Sequence, residues 1–128
     1  MKKLFAILMA LVMVLSLMTV SAETATDKQY VLDKGTLVVG ITDFAPMDYK
    51  DANGEWIGFD ADMARIVAEK LGVEVQFVEI DWDNKIMELD SKNIDVVWNG
   101  MTLTDEVKAA MECTNAYCNN AQVVITKK

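Results

Sequence analysis

Short apolar runs and amphipathic segments alternate along the chain after residue 35. Four runs rich in β-branched residues predict strands: Thr36–Ile41, Val73–Ile80, Ile94–Trp98 and Ala121–Thr126. Three segments with apolar residues at helical spacing predict helices: Asp60–Leu71, Asp81–Leu89 and Thr104–Met111. Because this alternation is typical of βαβ units, we expect an α/β fold with a mostly parallel sheet flanked by helices.

The segment Asp60–Leu71 carries the clearest helical pattern. Asp60 is placed to cap the free amides of the first turn, and Gly72 is placed to end the helix. Its inward face is predicted from the apolar residues that recur at helical spacing: Met63, Ile66, Val67 and Leu71.

Two connecting segments carry signals of their own. Residues 23–35 are polar, and we expect them to form a loose N-terminal lead. Asn53-Gly54 lies between Tyr49 and Trp56 and is the dipeptide of a tight hairpin turn. The regular fold is therefore expected to begin with the strand after residue 35.

The first 22 residues have the three parts of a secretory signal peptide. Lys2 and Lys3 precede the uninterrupted apolar run Leu4–Leu15, and Val20 and Ala22 then provide small residues around a cleavage point. We therefore expect export to the periplasm or the extracellular space, with cleavage after Ala22. An uncleaved anchor is the alternative, but the run is shorter than the ~20 apolar residues that a spanning helix needs.

Composition narrows the possible chemistry. The chain of 128 residues has no His and carries 20 Asp and Glu against 12 Lys and Arg, which gives a net charge of −8. The absence of His excludes Ser-His-Asp and Cys-His catalysis, and two Cys cannot form a four-thiolate metal site. The acidic balance argues against a nucleic-acid partner. With no carboxylate couple and no glycine-rich phosphate loop either, we expect a protein that is not an enzyme and holds no metal or cofactor.

The carboxyl ends of parallel strands are where such sheets bind ligands, and the loops predicted there hold unusual residues. Phe44 and Trp82 are candidate aromatic walls of a pocket, although both could instead be core residues under loops. Gly100 lets a ligand approach the backbone, and Thr102 offers an amide and a hydroxyl, unless this is an ordinary strand-to-helix turn. Asp43 is either a partner for a ligand ammonium or a solvated cap.

The two cysteines, Cys113 and Cys118, close a small loop after the third predicted helix. A disulfide persists in an exported protein, and a turn at Asn115-Ala116 would bring the two Cα atoms within the ~7 Å that a bridge needs. The alternative is two separate thiols, with Cys113 buried as a small apolar residue. We predict the disulfide.

Several motifs together resemble the extracellular solute-binding proteins of ABC transporters, in the polar amino-acid family. The signature is GFDADM at 58–63. The motifs around it follow the family's order and spacing: TLVVG (36–40), YKDANGEWIGFD (49–60), KLGVEVQFVEIDWDNKIMEL (70–89) and NIDVVWNGMTLTDE (93–106). The resemblance covers Thr36–Thr126 and implies a periplasmic-binding-protein-like (type II) lobe over residues 36–128.

That resemblance also implies a function and a site. Proteins of this family close two lobes on a small solute and deliver it to a permease. By position, Phe44 and Trp82 would be the aromatic walls around the ligand side chain. Gly100 and Thr102 would bind the ligand carboxylate through their backbone, with Asn99 beside them. The implied partners are a small polar solute, such as an amino acid or related amine, and an ABC permease; the full-length protein would be a monomer.

The chain departs from the family pattern in two respects that bear on function. Val107 stands where the family has an Arg that forks onto the ligand α-carboxylate, so we expect a ligand held without an Arg–carboxylate pair. A second lobe is expected to be absent, because the sequence ends near the strand that would lead into it. Two other classes remain open: a lyase derived from the same clamshell, and a sensory or interaction domain.

Overall fold

The computed structural model describes residues 26–119, 121 and 123–127. The predicted signal peptide and its cleavage site lie outside these residues. A parallel three-stranded sheet forms the centre, and its strands are β1 (Thr36–Ile41), β4 (Glu74–Glu79) and β5 (Val96–Val97). The strand order is β4-β1-β5. The predicted α/β class is confirmed.

Four helices and a two-stranded hairpin complete the described part of the fold. The helices are α1 (Asp27–Lys34), α2 (Phe59–Leu71), α3 (Lys85–Asp90) and α4 (Asp105–Ala110), with a 3₁₀ turn at Trp82–Asn84 directly before α3. The hairpin consists of β2 (Tyr49–Lys50) and β3 (Trp56–Ile57), as Asn53-Gly54 predicts. Asp51 orders this turn, since its carboxylate accepts hydrogen bonds from the amides of Asn53 and Glu55.

The middle strand β1 forms the core of the lobe. It pairs with β4 from Thr36 opposite Glu74 to Ile41 opposite Glu79, and with β5 at Val39 and Gly40. Val39 and Ile41 are fully buried. A strand buried on both faces reads as a continuous apolar run, which is why TLVVGI predicts this element so well.

Residues 23–35 were expected to be a loose lead, and this prediction is wrong for the described part of the segment. Thr26 caps helix α1, its hydroxyl accepting a hydrogen bond from the Gln29 amide at 3.2 Å. Gly35 ends the helix in the left-handed conformation with φ of 74°. The sequence shows no apolar periodicity that would predict this helix, because only Val31 of α1 is buried in the core.

Helix α2 buries a different stripe from the one its large apolar residues predict. Ala61, Ala64 and Ala68 are fully buried, whereas Ile66 is 44% exposed and Met63 is only half-buried. Alanine lacks the bulk that would hold the helix away from its neighbours, so it forms the inward stripe. The larger residues of α2 lie at the margin of the contact.

Asp60 does not cap α2 as expected, because the chain before the helix does so. The N-cap residue is Gly58, and the backbone carbonyls of Pro46 and Met47 accept hydrogen bonds from the amides of Phe59 and Asp60 at 3.3 and 2.9 Å. Gly58 has φ of 119°, and a Cβ there would come within 2.8 Å of the Met47 carbonyl carbon. Only glycine allows this close approach of the two backbone segments.

The last predicted strand, Ala121–Thr126, is wrong for the residues that the structure describes; Gln122 lies outside them. Val123, Val124 and Ile125 are between 78% and 92% exposed. A β-branched sequence favours a strand only where a neighbouring strand accepts its hydrogen bonds, and no described residue pairs with this segment. None of the helices in the described ranges is long and apolar enough to cross a membrane.

Replacing Gly58 with alanine is expected to lower the free energy of unfolding by about 3 kcal/mol, through a strained φ and a clash with the residue 46–47 backbone. Urea denaturation followed by circular dichroism measures this. Gly72→Ala is the matched control, because Gly72 also has a positive φ but open space around its Cα. It should lose about 1 kcal/mol. Equal losses in the two variants would show that the close backbone approach is unimportant.

Candidate functional site

The carboxyl ends of the three parallel strands meet at one edge of the sheet, as their order requires. Asn99, which is 8% exposed, joins two of these ends. Its side-chain amide donates to the Thr42 hydroxyl after β1, and its Oδ1 accepts from the Gly100 amide at 2.8 Å. The loop after β5 is therefore fastened to the loop after β1.

A cavity of about 330 Å³ lies beside this junction. Three of the residues predicted to bind the ligand line it: Phe44, Asn99 and Gly100. Its other walls come from Met47, Leu89, Asp95, strand β5 with the loop after it, and residues 111–119, which follow α4. The volume falls at the small end of the range for small-molecule sites.

Phe44 packs directly on Gly100. A Cβ at Gly100 would lie 2.6 Å from Cε1 of the Phe44 ring, so the absence of a side chain there permits the contact. Phe44 nevertheless stays 50% exposed, with one part of its ring open to the cavity. Of the two aromatic residues predicted to form walls of a pocket, only Phe44 lines this cavity.

Trp82, Asp43 and Thr102 are not among the lining residues of this cavity. Trp82 begins the 3₁₀ turn after β4 and is half-buried; Lys85 places its Nζ 4.7 Å from the centre of the indole ring. Asp43 and Thr102 are exposed. The carbonyl of Thr102 accepts a hydrogen bond from the amide of Thr104, the residue that caps α4.

Val107 lies in helix α4 and is buried, with 9% of its surface exposed. Its neighbour Lys108 is exposed. Helix neighbours in sequence do not share a face, so Lys108 does not take the position at which the family resemblance implies an arginine. The described residues contain no group of three or more His, Cys, Asp or Glu placed to hold a metal ion.

Cys113 and Cys118 both line the cavity, but both are free thiols in the structure. The structure therefore does not contain the predicted disulfide. The chain from residue 112 to residue 117 lacks the turn at Asn115-Ala116 that was expected to bring the two Cα atoms within bridging distance. The Cys113 thiol instead donates a hydrogen bond to the Met111 carbonyl at 3.4 Å.

Behind the cavity wall lies a polar cluster that the sequence analysis missed. Asp48 and Asp60 are fully buried, and the Tyr117 hydroxyl donates a hydrogen bond to Asp60 Oδ1 at 2.8 Å. Burial raises the pKa of both carboxyl groups, and the charge of Asp60 contributes to a pKa of about 7 for Asp48. The sequence carried one signal: Asp60 falls at the N-terminus of an amphipathic helix, where only a capping role was considered.

A profile of the bacterial extracellular solute-binding proteins, family 3, matches residues 37–128. The chain therefore belongs to this family. The L-cystine-binding protein TcyJ of Escherichia coli K12 is 34% identical over 99 residues, and a probable amino-acid ABC transporter-binding protein of Haemophilus influenzae is 37% identical over 93 residues. These alignments cover 77% and 72% of this chain but only 37% and 36% of the two relatives.

Solved structures confirm the periplasmic-binding-protein-like fold. The arginine-bound form of domain 1 of the arginine-binding protein from T. maritima matches at 42% identity with a TM-score of 0.60, covering 62% of this chain and 64% of that one. An ancestral amino-acid-binding protein, described as a precursor of cyclohexadienyl dehydratase, matches at 42% identity with a TM-score of 0.62. It is covered over 37% of its length, and this chain over 66%.

Replacing Asn99 with alanine is expected to lower the free energy of unfolding by about 1–3 kcal/mol, because the half-buried Thr42 hydroxyl and Gly100 amide lose their partner. Thermal and urea denaturation measure the loss. Asn93→Ala is the control: this exposed asparagine also makes a side-chain hydrogen bond, to Glu88, and its loss should cost under about 0.5 kcal/mol. If the two variants are equally stable, Asn99 does not fasten the two loops.

Proposed function

We propose that this chain forms the first ligand-binding lobe of an extracytoplasmic solute-binding protein, which delivers a small polar solute to an ABC permease. The observation that carries the proposal is the cavity where the strand ends meet, with Phe44 and Gly100 in contact at its wall. Membership of the family supports it, as do relatives whose names refer to cystine and amino acids. The ligand would be an amino acid or a related amine.

An aromatic ring and an acidic surround favour a ligand with a cationic or flat group. The exposed face of Phe44 offers cation–π and apolar contact, and the net charge of −8 attracts cations. Trp82 and Asp43 follow the neighbouring strand ends and would extend the same face. The arginine-bound domain 1 among the similar structures supports this preference and supports binding by one isolated lobe.

The ligand carboxylate would be held by backbone amides near Gly100 and Thr102. In the structure the Gly100 amide is already bonded to Oδ1 of Asn99 at 2.8 Å. That oxygen therefore occupies the place a ligand carboxylate would take. A carboxylate that displaces it would recover the hydrogen bond as a stronger, charge-assisted one.

Binding rather than catalysis fits the lining of the cavity. Its carboxylates are Asp95 and Glu112, and Asp95 is already engaged by Lys34 at 2.6 Å and by the Val38 amide at 2.7 Å. Such a carboxylate holds the loop to the strand and is not available as a base. A lyase would need an acid or base open to the ligand, and of these two carboxylates only the exposed Glu112 could serve as one.

Isothermal titration calorimetry with arginine, lysine, glutamine and cystine tests the ligand class. We expect weak binding, with a Kd above about 1 μM, because one lobe leaves much of the ligand surface in water. Arginine and lysine should bind most strongly, and Phe44→Ala should reduce their affinity at least tenfold. Trp82→Ala should also reduce the affinity for arginine and lysine if the ligand-binding face extends to the carboxyl end of β4.

The control for removal of an aromatic side chain is Tyr30→Ala. Tyr30 is 37% exposed on α1 and lies over the cations of Lys34 and Lys92, outside the cavity. The Tyr30→Ala variant should bind these ligands with the affinity of the wild type. Unchanged binding in Phe44→Ala would refute the proposed site, and failure of all four ligands to bind would refute the ligand class.

Val107→Arg tests the missing carboxylate fork. If an arginine from α4 reaches the ligand, affinity for α-amino acids should rise about tenfold, while affinity for amines without a carboxylate stays the same. Lys108→Arg is the matched control on an exposed position. If Val107→Arg stays folded by circular dichroism and binds α-amino acids no better than amines, then Val107 does not determine how the carboxylate is held.

A further inference from the structure

The buried pair Asp48 and Asp60 presents three carboxylate oxygens without a hydrogen-bond partner: both oxygens of Asp48 and Oδ2 of Asp60. Asp48 is 0% exposed and Asp60 is 1% exposed. Neither lines the cavity; they lie behind the part of its wall formed by Met47, Trp98 and Tyr117. Two buried carboxylates that have three unpartnered oxygens between them are too costly to remain ionised together.

Asp60 is the member better suited to keep its negative charge. It accepts the Tyr117 hydroxyl at 2.8 Å, and the indole N–H of Trp98 faces it, although outside full hydrogen-bond geometry. It also lies in the first turn of the 13-residue helix α2, where the helix dipole favours an anion.

Asp48 has less support for a charge. The backbone amide of Ala61 faces it, again outside full hydrogen-bond geometry, and burial and the charge of Asp60 both oppose its ionisation. Asp60 is the one charged group acting on it among the described residues, and none of the described ion pairs involves Asp48. A protonated Asp48 can donate a hydrogen bond, and Oδ2 of the neighbouring Asp60 is an acceptor without a partner.

We propose that Asp48 is held as a neutral carboxylic acid whose proton is shared with Asp60, and that this pair positions Tyr117 and with it the cavity wall of residues 111–119. Asp48 is thus a positioning residue, acting through Asp60. Tyr117 is also stacked on Phe59, with ring centroids 6.3 Å apart, so one side chain fixes this wall to the start of α2.

The proton makes the wall sensitive to pH near neutrality. The pKa of Asp48 is raised to about 7 in the folded protein from 3.8 in a solvated carboxyl group. Because the folded state holds the proton more tightly, the stabilisation is full below pH 3.8 and is lost as the pH rises through about 7. Above that, two buried negative charges repel and the contact of Tyr117 is strained. The pKa of Tyr117 is itself raised, by burial and then by Asp60, so its hydroxyl remains a donor throughout.

Urea unfolding of the wild type and of Asp48→Asn between pH 5 and pH 9 tests the shared proton. Asparagine places an N–H where the acid has its O–H and cannot ionise. At each pH the equilibrium constant for unfolding of the wild type is divided by that of Asp48→Asn. This ratio should rise about tenfold per pH unit from pH 5 to 7 and then level off. Asp62→Asn removes an exposed carboxylate from the same turn and should keep the wild-type pH profile.

If Asp48→Asn does not fold, Asp60→Asn serves as the second variant. Its amide oxygen still accepts from Tyr117, and removal of its charge should lower the pKa of Asp48 and so weaken the same pH dependence without abolishing it, because burial is the larger cause. A wild-type pH profile that neither variant changes would overturn the proposal.

Cys113 is a natural reporter for the position of the wall, because it is half-buried in the same segment as Tyr117. In a Cys118→Ser background, labelling of Cys113 by a thiol reagent should be equally fast with and without Asp48→Asn at pH 6. At pH 8.5, Cys113 should react several-fold faster in the protein that keeps Asp48 than in the Asp48→Asn variant. Since each comparison is made at one pH, the ionisation of the thiol cancels. If the two proteins react at the same rate as each other at pH 6 and also at pH 8.5, the pair does not position the wall.

Discussion

The described lobe depends on one strand, β1, which is buried between two parallel neighbours. Its pairing with β4 over six residues and with β5 over two brings three carboxyl ends to one edge. Everything at the candidate site follows from that edge. Asn99 bridges the loops, Phe44 rests on Gly100, and the cavity opens beside them.

A second constraint is the way helix α2 begins. Pro46 and Met47 supply backbone carbonyls to its first amides, and Gly58 makes the close approach possible. The same approach buries Asp48 beside Asp60, so the capping of the helix and the acidic pair are parts of one arrangement. Tyr117 then joins this arrangement to a segment far along the chain. Tyr117 therefore connects the cavity wall to the helix start, through its hydroxyl on Asp60 and its ring on Phe59.

The chain spans about 37% of the length of the cystine-binding relative, and it matches a separately solved domain of an arginine-binding protein over 64% of that domain. A lobe of this kind has a core of its own, with Val39 and Ala64 fully buried. Under the proposed function, this lobe would cover a ligand on one side.

The sequence by itself determined the α/β class, the three parallel strands and the hairpin, because apolar periodicity and turn dipeptides act locally. It indicated the family through the resemblance of its motifs. It did not reveal α1, whose single buried residue leaves little periodic signal, or the alanine stripe of α2, since small residues look neutral until a neighbour packs on them. Only the tertiary structure showed that Cys113 and Cys118 are free and that Ala121–Thr126 forms no strand in its described part. Most of all, it brought Tyr117 to Asp60, because a contact between residues so far apart in sequence is set by the packing of whole elements and by nothing in either local sequence.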